Sequence, residues 1–261
     1  MSGRRTLYQL WRAVYPVLLY LVIQAVVSAI FAVALTMCVR FGWVDNYLET
    51  YLDSMTLILL ISALIGALIF GLLYRDDSQR RHMAPTAWQE SLLWVLIGAS
   101  ALALLGNNLM NLTPLAEVSE SYQESSAALE TGSIWVQIAC VGFAAPVAEE
   151  LVMRGLLYGR LREIMRPSWA TIFSALIFGI FHGNIVQGIY AFALGIFFAW
   201  LMERYRTIFV PILAHISANL FVTALSDSGL YEMIFVSAPV FVLVTAACAL
   251  IFAVSFQKLR I

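Results

Sequence analysis

The sequence predicts an all-α, polytopic membrane protein with eight transmembrane helices and both termini on the cytoplasmic side. Three observations carry this reading. Hydrophobic residues make up 62% of the 261-residue chain, against about half for a soluble domain. Apolar runs of membrane-spanning length follow one another, separated by short charged segments. They are continuous and lack a period of two, which speaks against a β-barrel. The charged segments also alternate in sign at every crossing.

The first span covers about 13–38 and the second about 56–74. The third covers about 91–106, with Asn107 and Asn108 as its polar fringe. The fourth runs from Ile134 to about Tyr158 and is expected to continue as a basic amphipathic extension through Arg160, Arg162 and Arg166. The fifth covers about 168–183, the sixth 187–203, the seventh 208–225 and the eighth 233–256. Arg4, Arg5 and Arg12 precede the first run, but that run is too long for a signal h-region and lacks a clear cleavage site.

Loop charge sets the direction. Basic clusters lie at Arg4, Arg5 and Arg12; at Arg75, Arg80 and Arg81; at Arg160, Arg162 and Arg166; at Arg204 and Arg206; and at Lys258 and Arg260. Between them lie Asp45, Glu49 and Asp53, then Glu117, Glu120, Glu124 and Glu130, then Asp227 and Glu232, with Arg40 as the one basic residue on that side. The positive-inside rule turns this alternation into eight crossings. Residues 107–133 form the longest loop and read as a solvated outer segment, partly helical. Net charge is −1 with no basic stripe, so no nucleic-acid partner is expected. Cys38, Cys140 and Cys248 read as buried small hydrophobes, with neither a disulfide nor a metal site.

Spans two, three and eight are almost wholly apolar and are expected to be peripheral. Gln24 in span one reads as a helix–helix hydrogen-bonding residue. Spans four, five and seven differ. Span four carries Glu149, Glu150 and Arg154 within six residues. Glu150 and Arg154 share a face at i,i+4, acid first, the favourable order for an ion pair. Glu149 is rotated about 100° away and points elsewhere. Gly142 and Pro146 lie just before it, and the proline removes a backbone hydrogen bond and can admit water.

Span five holds Phe178 and His182 on one face, and span seven holds His215 and Asn219 on one face. The third histidine, His82, reads as exposed beside Arg80 and Arg81. Ionisable groups in a membrane cost about 2–3 kcal/mol each at mid-bilayer, so an acid and two histidines on three spans mark a functional site.

A carboxylate beside an imidazole can deprotonate water for attack on a carbonyl. A second imidazole and an amide can donate to the resulting oxyanion. This assigns Glu149 and His182 to water activation and His215 and Asn219 to oxyanion stabilisation. Glu150, Arg154 and Phe178 are structural support. The alternative is a divalent metal such as Zn²⁺ held by Glu149, His182 and His215. The residues leave both versions open. Other hydrolase designs are excluded. No HExxH, GxSxG or GxSG motif occurs, and Asp45, Asp53, Asp76, Asp77 and Asp227 all read as loop residues, unable to form an intramembrane dyad.

Glu149-Glu150-Leu-Val-Met-Arg154 fits EExxxR, Phe178-Gly-Ile-Phe-His182 fits FxxxH, and His215-Ile-Ser-Ala-Asn219 fits HxxxN. In this order, on successive helices, the three resemble the CPBP family of intramembrane endopeptidases. That family includes type II CAAX prenyl proteases and bacteriocin-processing or immunity proteins. The resemblance covers about residues 134–225. It implies water activation by Glu149 and His182, an oxyanion held by His215 and Asn219, and either a glutamate-activated water or a metal.

The expected organisation is therefore an N-terminal membrane region over 1–133, a catalytic four-helix core over 134–225 and a C-terminal span over 226–261. The expected function is hydrolysis of a peptide bond in a membrane-associated, CAAX-like or lipidated peptide or protein. Expected partners are that substrate and the lipid bilayer, in a bacterial or archaeal cytoplasmic membrane. A non-catalytic immunity or regulatory protein of the same fold is the runner-up. An ion-coupled transporter ranks last, because no internal repeat is visible.

Overall fold

A computed structural model describes residues 3–81, 84–129, 131 and 133–260. His82 and Glu130 lie outside the described residues. Among those described, every regular element is helical. The main helices are α1 (Gly3–Arg40), α2 (Met55–Arg80), α3 (Leu92–Asn111), α4 (Ile134–Leu161), α5 (Pro167–Phe181), α6 (Ile185–Tyr205), α7 (Phe209–Asp227) and α8 (Ala238–Arg260). Short helices cover Tyr47–Asp53, Leu115–Val118, Glu120–Leu129 and Leu230–Ile234. The acidic segment before α4 is thus partly helical, as expected.

The chain is an integral, multi-pass membrane protein. Among the described residues, seven of the eight expected spans are helices long and apolar enough to cross a bilayer. The remaining one, α5, has 15 residues. At 1.5 Å per residue it reaches about 22 Å, short of a ~30 Å hydrocarbon core. An exposed apolar stripe runs along α1, where Val22, Val26, Ile30 and Val33 recur at helical spacing, as a lipid-facing surface requires.

Contacts divide the chain into two compact units. The first comprises 1–80 and 124–164, and the second 81–123 and 165–261. Helices α1, α2 and α4 belong to the first, and α3 and α5–α8 to the second.

In the first unit, α1 and α2 meet where Gly66 leaves room for Tyr20. A Cβ at Gly66 would lie 3.0 Å from the Tyr20 ring. Tyr20 also meets Phe70 edge to face, with centroids 5.6 Å apart. Helix α2 packs on α4 through a second small residue, Gly155, whose Cβ would lie 2.9 Å from the Tyr74 ring.

One end of this unit is held by charge. Asp77 bridges Arg160 Nε at 2.6 Å and Arg12 Nη2 at 3.1 Å. Arg12 also pairs with Glu163 at 3.0 Å, and Arg160 donates to the Arg12 carbonyl at 2.6 Å. Two expectations fail here. Asp76 and Asp77 are not loop residues but close the last turns of α2, while Asp53 and Asp227 end helices too. The basic amphipathic extension through Arg160, Arg162 and Arg166 is not formed: α4 stops at Leu161, and Arg160 is buried against Asp77. A buried carboxylate needs a charged partner to offset its desolvation, and no local sequence pattern encodes a partner 83 residues away.

In the second unit, α3 is central rather than peripheral. Its Val95, Ala99 and Ala103 are fully buried in one cluster with Leu194, Phe198, Ala214 and Leu259 from α6, α7 and α8. Ser217 donates to the Leu96 carbonyl at 3.2 Å, and Ser100 returns a 3.2 Å bond to the Ser217 carbonyl. The helix also runs a turn past its expected end, to Asn111. Asn108, which read as the polar fringe of the span, is buried and donates from its amide nitrogen to Thr245 Oγ1 at 3.0 Å. Small residues allow close approach in a membrane, so an apolar helix rich in Ala and Gly belongs inside a bundle.

Candidate active site

Helix α4 is not a uniform α-helix. Ala145–Glu150 is α-helical, but it is flanked by π-helical turns over Ile138–Ala144 and Leu151–Tyr158. The Ala145 N–H reaches back five residues to the Cys140 carbonyl, and the Gly159 N–H reaches five back to Arg154. Pro146 offers a local cause for the first wide turn, because its ring would clash with the carbonyl four residues earlier. π-turns concentrate at functional sites because they re-aim side chains. The sequence showed the proline but not the widened turns.

Glu150 and Arg154 pair at 2.8 Å, and neither side chain is exposed. The expected ion pair is therefore present and fully dry. Glu149 is half-buried.

The remaining site residues lie in the second unit. Helix α5 ends at Phe181 rather than at 183, and His182 is its C-cap. Gly183 adopts a left-handed φ of 75°, which stops the helix. Asn184 then caps α6, accepting from the Gln187 N–H at 2.9 Å and donating to Gln187 Oε1 at 2.7 Å. Asn184 also donates to the His182 carbonyl at 3.3 Å. His182 thus sits in a three-residue turn stiffened on both sides. Sequence reasoning missed Asn184 and Gln187, although Gly-Asn after an apolar run is a recognisable stop-and-start signal.

His182 Nδ1 lies 2.8 Å from the Phe178 carbonyl oxygen. A carbonyl only accepts, so Nδ1 is the donor, the tautomer in which a neutral imidazole keeps its lone pair on Nε2. Phe178 is buried beneath both histidines. Its ring is 4.8 Å from His182 and 5.9 Å from His215, edge to face in each case. His215 is buried on α7, and Asn219 is half-buried one turn on. The two faces expected from spacing are therefore present, and the unit brings Phe178, His182 and His215 together. Glu149 belongs to the first unit.

Helices α5 and α6 form a tight hairpin because Gly179 faces Gly188. A Cβ at Gly179 would lie 2.6 Å from the Gly188 carbonyl oxygen. Beside this crossing runs an apolar groove of about 460 Å³, lined by residues including Leu176, Ile180, Ile185, Ile189 and Phe192. Among the described residues, no three His, Cys, Asp or Glu side chains are grouped so as to hold a metal ion.

Residues 131–221 match the family model described as type II CAAX prenyl endopeptidase Rce1-like. This segment is similar to that family. It contains all three motifs, so the resemblance seen in them holds. The chain is also similar to the protein named "Putative membrane peptidase YdiL" of Bacillus subtilis (strain 168), with 38% identity over 77 residues. That match covers 30% of this chain and 32% of the relative, about a third of each. No solved structure matches.

Proposed function

We propose that the chain is an intramembrane endopeptidase acting on a membrane-associated polypeptide, CAAX-like or lipidated substrates included. The observation that carries this is the set EExxxR, FxxxH and HxxxN, in order, inside the Rce1-like segment. Glu149 with His182 removes a proton from water, and the water oxygen attacks the scissile carbonyl. His215 and Asn219 donate hydrogen bonds to the oxyanion that forms. As the tetrahedral species collapses, the C–N bond breaks and the stored proton passes to the leaving amine.

The Nδ1–H tautomer of His182 supports the base role, because it leaves Nε2 as an acceptor. The apolar groove between α5 and α6 supports a hydrophobic substrate. The buried Glu150–Arg154 pair supports the order of roles within the acidic motif, since a carboxylate held by an internal arginine is poorly placed to exchange protons. Every step uses groups of the chain itself.

The test compares membrane and secreted peptides, by mass spectrometry, from cells carrying wild-type or Glu149→Gln protein. Peptides released by the wild type and missing from the variant are the expected result. Unchanged release in a folded variant would refute the proposal and favour a non-catalytic role. A chelator arm tests the metal alternative, which predicts that release stops on metal removal.

A further inference from the structure

We propose that Phe198 is a positioning residue for His215, holding the imidazole plane by ring contact. Phe198 lies on α6, outside the three motifs, and is fully buried. Its ring is stacked on His215 with centroids 5.0 Å apart and planes 29° apart. Phe178 meets the same imidazole edge to face at 5.9 Å. Two aromatic rings on two other helices therefore restrict one histidine on α7.

The histidine needs this restriction. The χ2 torsion of His is broad and nearly two-fold, so its backbone alone does not fix the ring plane. An oxyanion donor must be held within about 0.5 Å and 10–20° of its working geometry. Turning the imidazole about χ2 would drive its edge into the Phe198 face. Phe198 cannot easily yield, because it is packed with Leu194, Leu201, Val210 and Ala214 in the fully buried core of its unit.

The role of His215 rests on the proposed endopeptidase reading, whereas the ring contact does not. The experiment keeps them apart. The full chain is prepared in detergent micelles with ¹³C-labelled histidine. Only three histidines occur, His82, His182 and His215, so single His→Gln variants assign the signals. In the wild type, the His215 ring-proton signals are expected upfield of their positions for a free imidazole, because the ring is stacked on Phe198. Phe198→Leu and Phe198→Met should abolish that displacement while leaving the His182 and His82 signals in place. Phe198→Tyr should retain it.

In peptide release measured as above, the ring-less variants should lose about tenfold or more in turnover at unchanged KM, and Phe198→Tyr should restore it. An unmoved His215 signal in Phe198→Leu overturns the proposal. So does unfolding of both ring-less variants, which would make Phe198 a core residue only. If no release depends on Glu149, the endopeptidase reading fails, and the resonance arm still decides the ring contact.

Discussion

Replacing Asp77 with Ala should destabilise the protein out of proportion to the size of the change. The Asp77 and Arg160 side chains are each only 4% exposed and lie 2.6 Å apart. Breaking a buried pair from one side costs about 3–5 kcal/mol, because the orphaned charge remains. Arg160 would keep the Arg12 carbonyl at 2.6 Å and the Tyr15 ring face at 5.1 Å. Those contacts place the expectation at the lower end, about 3 kcal/mol. Arg12 is 26% exposed, so Arg12→Gln should cost about 1 kcal/mol or less. Adding Arg160→Met to Asp77→Ala should recover much of the loss, since it removes the orphan. The assay is thermal unfolding in detergent, read with a thiol-reactive dye. Cys140 and Cys248 are buried and become reactive on unfolding. Equal unfolding temperatures for Asp77→Ala and Arg12→Gln would refute the reasoning. So would a double variant less stable than Asp77→Ala.

Glu150→Gln should unfold or fail to accumulate, because it leaves Arg154 charged in a site with no exposure, a loss of about 3–5 kcal/mol. Glu149→Gln should keep wild-type stability and lose peptide release; the dye assay and mass spectrometry separate the two. Gly179→Ala should destabilise by about 2–3 kcal/mol, as its Cβ would meet a backbone oxygen at 2.6 Å that cannot rotate away. Gly188→Ala should cost less, since its nearest contact is 3.2 Å, and the order of unfolding temperatures checks this. Asn184→Ala should cost about 1 kcal/mol through the lost α6 cap and should broaden the His182 imidazole signal, because the turn that holds His182 loosens.

The membrane class, the spans and the four candidate residues were legible in the sequence for one reason. A bilayer penalises polar atoms wherever they occur, so each ionisable group in an apolar run reports its own importance. Helical spacing did the rest locally: the Glu150–Arg154 pair and the Phe178–His182 contact are both i,i+4 relations. Relations over long separations were not legible. Asp77 lies 83 residues from Arg160, and Phe198 has no sequence relation to His215. Central α3 looked peripheral because hydropathy cannot distinguish burial in protein from burial in lipid. The π-turns around Glu149 escaped because periodicity assumes 3.6 residues per turn. The sequence by itself determined which polar side chains stand out within the apolar helices. Only the tertiary structure decided which rings lie against His215 and which arginine meets Asp77, because those partners sit on other helices and are brought close by packing.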